Sequence, residues 1–98
     1  MRSKRYDLAT VELDGEDVRL KYGDLLVVAH EGRDELDWEV QLVPFDPAAL
    51  EQAPYHVDAV TLEGTRLRGD AVLVRSVSGM HVLRGAGPLD GVDPAELA

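Results

Sequence analysis

Apolar and polar residues trade places from the start of the chain. Between Tyr6 and Leu13, Ala9, Val11 and Leu13 fall on one face and Leu8, Thr10 and Glu12 on the other. A period of two is the mark of a strand with one face buried. Asp14-Gly15 ends the segment. A type I′ turn needs positive φ, which glycine adopts without strain, so this pair predicts a tight hairpin. The return segment alternates again, Val18, Leu20 and Tyr22 against Asp17, Arg19 and Lys21. Gly23-Asp24 then leads into the continuous apolar run from Leu25 to Ala29. Glycine inside a strand pattern marks a bulge or bend, so one long bent strand is expected here. After the polar turn Glu31 to Glu35, Leu36, Trp38, Val40 and Leu42 point inward and Asp37, Glu39 and Gln41 outward. These segments make a three-strand meander.

Residues 44–54 form a linker. Asp46 is a credible N-cap, Pro47 suits a first helical position and Pro54 ends the element, which predicts a short connecting helix over about 47–53. A second set of strands follows: 55–63, a bent strand 65–77, a turn at Ser78-Gly79, and a strand from 80 to about 86, which Gly85-Ala86-Gly87-Pro88 stops. The tail, 88–98, carries another cap signal, Asp93-Pro94-Ala95-Glu96-Leu97, and is expected to fray. The two sets also match in letters. Tyr6 to Gly15 lies without gaps over Tyr55 to Gly64, with Tyr, Val, Leu and Gly identical, and Gly23 to Val28 lies over Gly69 to Val74. The expected organisation is one domain, 1–98, with repeat one at about 6–43 and repeat two at about 55–87. The fold class is all-β, two pseudo-twofold-related three-stranded meanders arranged as a small antiparallel barrel or a two-sheet sandwich. The bent strands favour the barrel, which also removes exposed edges.

Composition narrows the function classes. The 98 residues are enough for one core, and the absence of cysteine excludes disulfides, thiolate zinc sites and cysteine nucleophiles. A net charge of −9 argues against nucleic acid and anionic membrane surfaces as partners, because phosphates require clustered Lys and Arg. The run Leu25–Ala29 is too short to span a bilayer. The basic start, Met1 to Arg5, leads into Tyr6-Asp7 where a secretory leader would turn apolar. A soluble, cytoplasmic protein is expected.

Candidate chemistry is sparse. His30, His56 and His81 are at no local ligand spacing, so no metal is assigned. The acids between Asp34 and Glu39 lack the ligand order of a calcium loop. Ser76 and Ser78 lie near His81 without a nucleophile-elbow motif. No catalytic residue and no cofactor is assigned, and the chain is read as a non-enzyme. One asymmetry stands out: between 66 and 84 there are Arg66, Arg68, Arg75 and Arg84 against a single acid, Asp70. They suggest an anion- or partner-binding patch, in competition with cross-strand pairing to acids, worth fractions of a kcal/mol at a surface. Trp38 belongs to an inward face. Were the barrel open at one end, Trp38, Phe45 and His81 would line a pocket mouth beneath the 47–53 connector.

Three stretches carry a family resemblance: Ala9 to Gly15, Trp38 early in its strand, and His81-Val82-Leu83-Arg84-Gly85-Ala86-Gly87-Pro88. In their order the chain resembles a small actinobacterial β-barrel domain of unknown function, found alone or appended to flavin-dependent monooxygenases. The resemblance implies the barrel and brings no catalytic residues. The expected function is therefore a non-enzymatic binding module whose partner is a second copy, another protein or a small ligand. Its candidate contacts are Arg66, Arg68, Arg75, Arg84, Trp38 and His81. The alternative is a small-ligand carrier or cryptic enzyme with its pocket at the barrel mouth.

Overall fold

Asp14 and Gly15 adopt φ of 53° and 83°, the predicted type I′ turn, in a computed structural model that describes residues 1–46 and 49–97. They join β1 (Arg2–Leu13) to β2 (Glu16–Val18). Ser78 and Gly79, at 52° and 80°, repeat the device between β6 (Arg66–Val77) and β7 (Met80–Asp90). Between these hairpins run β3 (Leu20–Ala29), β4 (Leu36–Pro44) and β5 (Pro54–Thr61). The strand order is β2-β1-β3-β4-β7-β6-β5, and a further β1–β5 pairing closes it. The result is a six-stranded antiparallel barrel with β2 as an extra strand, which decides barrel over sandwich. Closure depends on the length of β1: Arg2–Asp7 pairs with β3, while its far half, Leu8–Leu13, pairs with β5.

Every barrel strand sends fully buried apolar side chains inward. Val11, Leu25, Val40, Val57, Leu67 and Leu83 represent the six strands in turn. A six-strand barrel is narrow enough for such side chains to fill it, and burial of this set is the main source of its stability.

Two inserted residues change the faces read from alternation. The β1–β5 register slips between Leu8 and Thr10, which turns Leu8 inward and Ala9 out to solvent. The β3–β4 register slips between Leu20 and Tyr22, which leaves Tyr22 exposed rather than in the core. A single extra residue inverts the side-chain phase downstream of it. The long strand also breaks at Arg19 instead of at Gly23, which lies inside β3. The corresponding slip at Asp70, between Gly69 and Ala71 on the β6–β7 ladder, falls where the second bend is expected.

Three further expectations are corrected. The connecting helix does not form over residues 49–53, and Pro47 and Ala48 lie outside the described residues. Instead the backbone is held along the barrel: the Ala53 carbonyl accepts from the Leu73 amide at 3.0 Å, and Gln52 Nε2 donates to the Val74 carbonyl at 3.1 Å. So short a segment cannot repay helix nucleation against such bonds. β7 runs on through Gly85-Ala86-Gly87-Pro88 to Asp90, bulging between Gly85 and Leu89 where β6 offers only Asp70. The tail docks rather than frays. Asp93 caps a 3-10 turn at Pro94–Glu96, Lys4 Nζ meets Glu96 at 2.8 Å, and Leu97 is buried in the core cluster. Among the described residues no helix is long and apolar enough to cross a membrane.

Candidate functional site

The arginines do not form one patch. Arg66 donates through Nε and Nη2 to Asp58 at 3.0 and 2.6 Å, and Arg68 Nε lies 3.9 Å from the same carboxylate. That bidentate hydrogen bond from Arg66 holds the Asp58 carboxyl below the usual carboxylate range. Arg84 stands opposite Val72, four positions along β6 from Arg68, or about 13 Å at the usual rise of a strand. Arg75 lies further on, opposite Val82.

Trp38 belongs to the end of the barrel that the tail plugs. β4 and β7 pair from Leu42–His81 to Glu39–Arg84 and then part. The indole fills the widening space and donates its Nε1 hydrogen to the Gly87 carbonyl at 2.9 Å. Glycine is required on the facing strands. A Cβ at Gly69 would lie 2.8 Å from Trp38 Cζ2, and one at Gly85 only 2.3 Å from Nε1. Outside this seam lies a depression of about 640 Å³ between Asp34–Asp37 and Gly85–Leu89, adjoined by one of about 510 Å³ that Trp38 and Arg84 line.

The opposite end carries the more apolar depression, of about 470 Å³. The first hairpin supplies Leu13 and Val18, the end of β4 supplies Pro44, Phe45 follows it, and the connector adds Leu50. Tyr55, at the start of β5, holds the connector in place by donating its hydroxyl to the Glu51 carbonyl at 2.9 Å. Phe45 is held from outside, with Arg19 and Lys21 at 5.6 and 6.0 Å from its ring centre. His81 completes the lining from β7. It is 5% exposed, and its Nδ1 lies 2.7 Å from Ser76 Oγ across the β6–β7 ladder.

Phe45 and His81 therefore line the same depression, and Trp38 does not line it. Trp38 lies four residues along β4 from Leu42, the partner of His81, about 13 Å away. The sequence placed Ser76 near His81 without reading a bond between them, and the apolar walls from Leu13, Val18 and Leu50 were missed. One signal was available: period two places His81 on the same face as Leu83. The other histidines pair with acids at the surface, His30 with Asp37 and His56 with Asp70, each at 2.9 Å. Among the described residues no cluster of three or more histidines and acids could hold a metal ion. No family model, curated protein or solved structure matches the chain.

Proposed function

We propose that this barrel is a non-enzymatic binding module whose site is the mouth beneath the connector. One observation carries the reading: a depression of about 470 Å³ with mainly apolar walls has a single buried polar side chain, His81, in its lining. Ligand sites characteristically combine apolar walls with a few placed polar groups, in volumes of roughly 300–1,000 Å³. The packed interior leaves surface depressions of this kind as the place for a ligand. The test is a thermal-shift survey of chemically diverse small molecules, run with a measurement of solution mass. A ligand class that raises Tm by several degrees, an effect lost in Val18→Trp where the mouth is filled, agrees with the proposal. A survey with no shift refutes it.

The parting of β4 and β7 favours a second reading, a protein partner or second copy at that seam. Beyond Glu39–Arg84 the facing edges of both strands are left without each other as partners, and such edges accept an added strand. A dimeric mass that reverts to monomer in Arg84→Glu favours this reading. The pairing also supports reading the two meanders as duplicates. Asp7 pairs with Asp24 and His56 with Asp70, matched positions of the two halves, and their first strands, β1 and β5, pair with each other.

A further inference from the structure

We propose that the mouth selects neutral, largely apolar molecules bearing one hydrogen-bond acceptor, which His81 Nε2–H engages; this rests on the mouth being the binding site. Three observations carry it, beginning with the short contact between Ser76 Oγ and His81 Nδ1 at 2.7 Å. Bonds donated by O–H cluster near 2.7–2.8 Å and those donated by N–H to oxygen near 2.9–3.0 Å. The distance therefore favours the Ser76 hydroxyl as donor and Nδ1 as acceptor. In the neutral ring that leaves the proton on Nε2, since the bond made by one nitrogen fixes the tautomer of the other.

The second observation is where that proton points. Ser76 does not line the depression, whereas His81 does, so the Nε2 edge, the one Ser76 leaves free, is the edge assigned to the mouth. Nε2 has no hydrogen-bond partner among the described residues. A donor at the floor of an apolar site discriminates strongly, because a ligand without an acceptor leaves it unpaired when it displaces water.

The third is the charge of the rim. Glu16, Asp17 and Asp46 line the opening with Arg19, and Lys21 stands over Phe45 beside it, so acids outnumber cations three to two there on a protein of net charge −9. That field opposes carboxylates and phosphates. An ammonium group would be drawn to the rim, but on entering it would meet the Nε2 hydrogen, a donor like itself. A neutral carbonyl, ether or hydroxyl oxygen satisfies both conditions.

The experiment uses the whole chain and four probes of similar size: acetophenone, ethylbenzene, benzoate and benzylammonium. Long-range proton–nitrogen NMR of histidine-labelled protein reports the His81 tautomer, and titrations report dissociation constants. The expected results are the Nε2–H tautomer and acetophenone binding at least about fivefold more tightly than ethylbenzene, the low end of the cost of leaving a donor unpaired. Benzoate is expected to bind more weakly than acetophenone and to recover in Asp17→Lys. His81→Phe should abolish the preference for acetophenone over ethylbenzene. Ser76→Ala alters only an exposed residue and should mix the tautomers and weaken the same preference. An Nδ1–H tautomer overturns the inference, as does equal binding of ethylbenzene or benzoate, while occupancy of the mouth leaves the binding-module reading standing. Silence of the mouth resonances with all four probes also overturns it, and the broader thermal survey then decides that reading separately.

Discussion

Replacing Gly85 by alanine should be among the most damaging small changes to this protein. The new Cβ would lie 2.3, 2.4 and 2.5 Å from Nε1, Cε2 and Cδ1 of Trp38, so the indole must retreat by about 1 Å to reach ordinary contact distance near 3.5–4 Å. The ring also lies close against Gly69, where a Cβ would come within 2.8 Å of it, and Trp38 is packed in the buried core, which limits retreat. Movement also strains the 2.9 Å bond from Nε1 to the Gly87 carbonyl. Overpacking of a core costs about 1–3 kcal/mol, and loss of a net hydrogen bond about 0.5–1.5 kcal/mol. The sum, roughly 2–4 kcal/mol, is a large part of the 5–15 kcal/mol typical of a domain. Urea titration followed by tryptophan fluorescence reads both the stability and the ring's surroundings. Gly87→Ala is the control, because nothing lies within 4 Å of a Cβ there, and it should change stability by less than about 1 kcal/mol. In a Trp38→Phe background the penalty of Gly85→Ala should shrink. Equal stability of Gly85→Ala and the parent, with unaltered fluorescence, would refute the packing argument.

Other outcomes follow from the same structure. Tyr6→Phe should hold or raise stability by up to about 1 kcal/mol, since the Tyr6 hydroxyl is buried with no partner among the described residues; a clear loss in a denaturant titration would reveal a hidden partner. Asp58→Asn should destabilise at pH 7, and by progressively less as the pH falls below about 4. The folded carboxyl titrates below its unfolded value of about 4, so its contribution is present above that pH and fades as pH falls through the folded value; a pH-independent gap would contradict the assignment. Leu97→Ala should cost about 2 kcal/mol by emptying the tail's seat in the core, and would be neutral were the tail frayed. Gly79→Ala forces a side chain at φ of 80° and should lower stability by about 1 kcal/mol or more, measured by thermal unfolding.

Strands and turns were legible because they are local. Period-two alternation found Leu36, Trp38, Val40 and Leu42 as an inward row, and Asp-Gly and Ser-Gly pairs located two hairpins. The bulges near Ala9 and Lys21 were not, since the extra residue is selected by where a distant strand must pair. The continuation of β7 beyond Gly85 was hidden for a related reason. Gly85, part of what read as a stop signal, serves to admit the indole of Trp38 from a strand nearly fifty residues earlier. Of the candidate residues, Phe45 and His81 line one depression, while Trp38 lies at the other end of β4, a separation set by strand length and register. The commitment of Arg66 and Arg68 to Asp58 depends on the β5–β6 register, which the turn at Gly64 sets.

The barrel is filled by its own side chains, and the mouth beneath the connector is the proposed ligand site. Methyl NMR under xenon pressure tests this arrangement most directly, because xenon enters dry apolar cavities irrespective of their chemistry. The account predicts saturable shifts at Leu13, Val18 and Leu50, with the interior methyls of Val27, Val40 and Leu83 unmoved. Saturable shifts of those interior methyls, with a silent mouth, would contradict it.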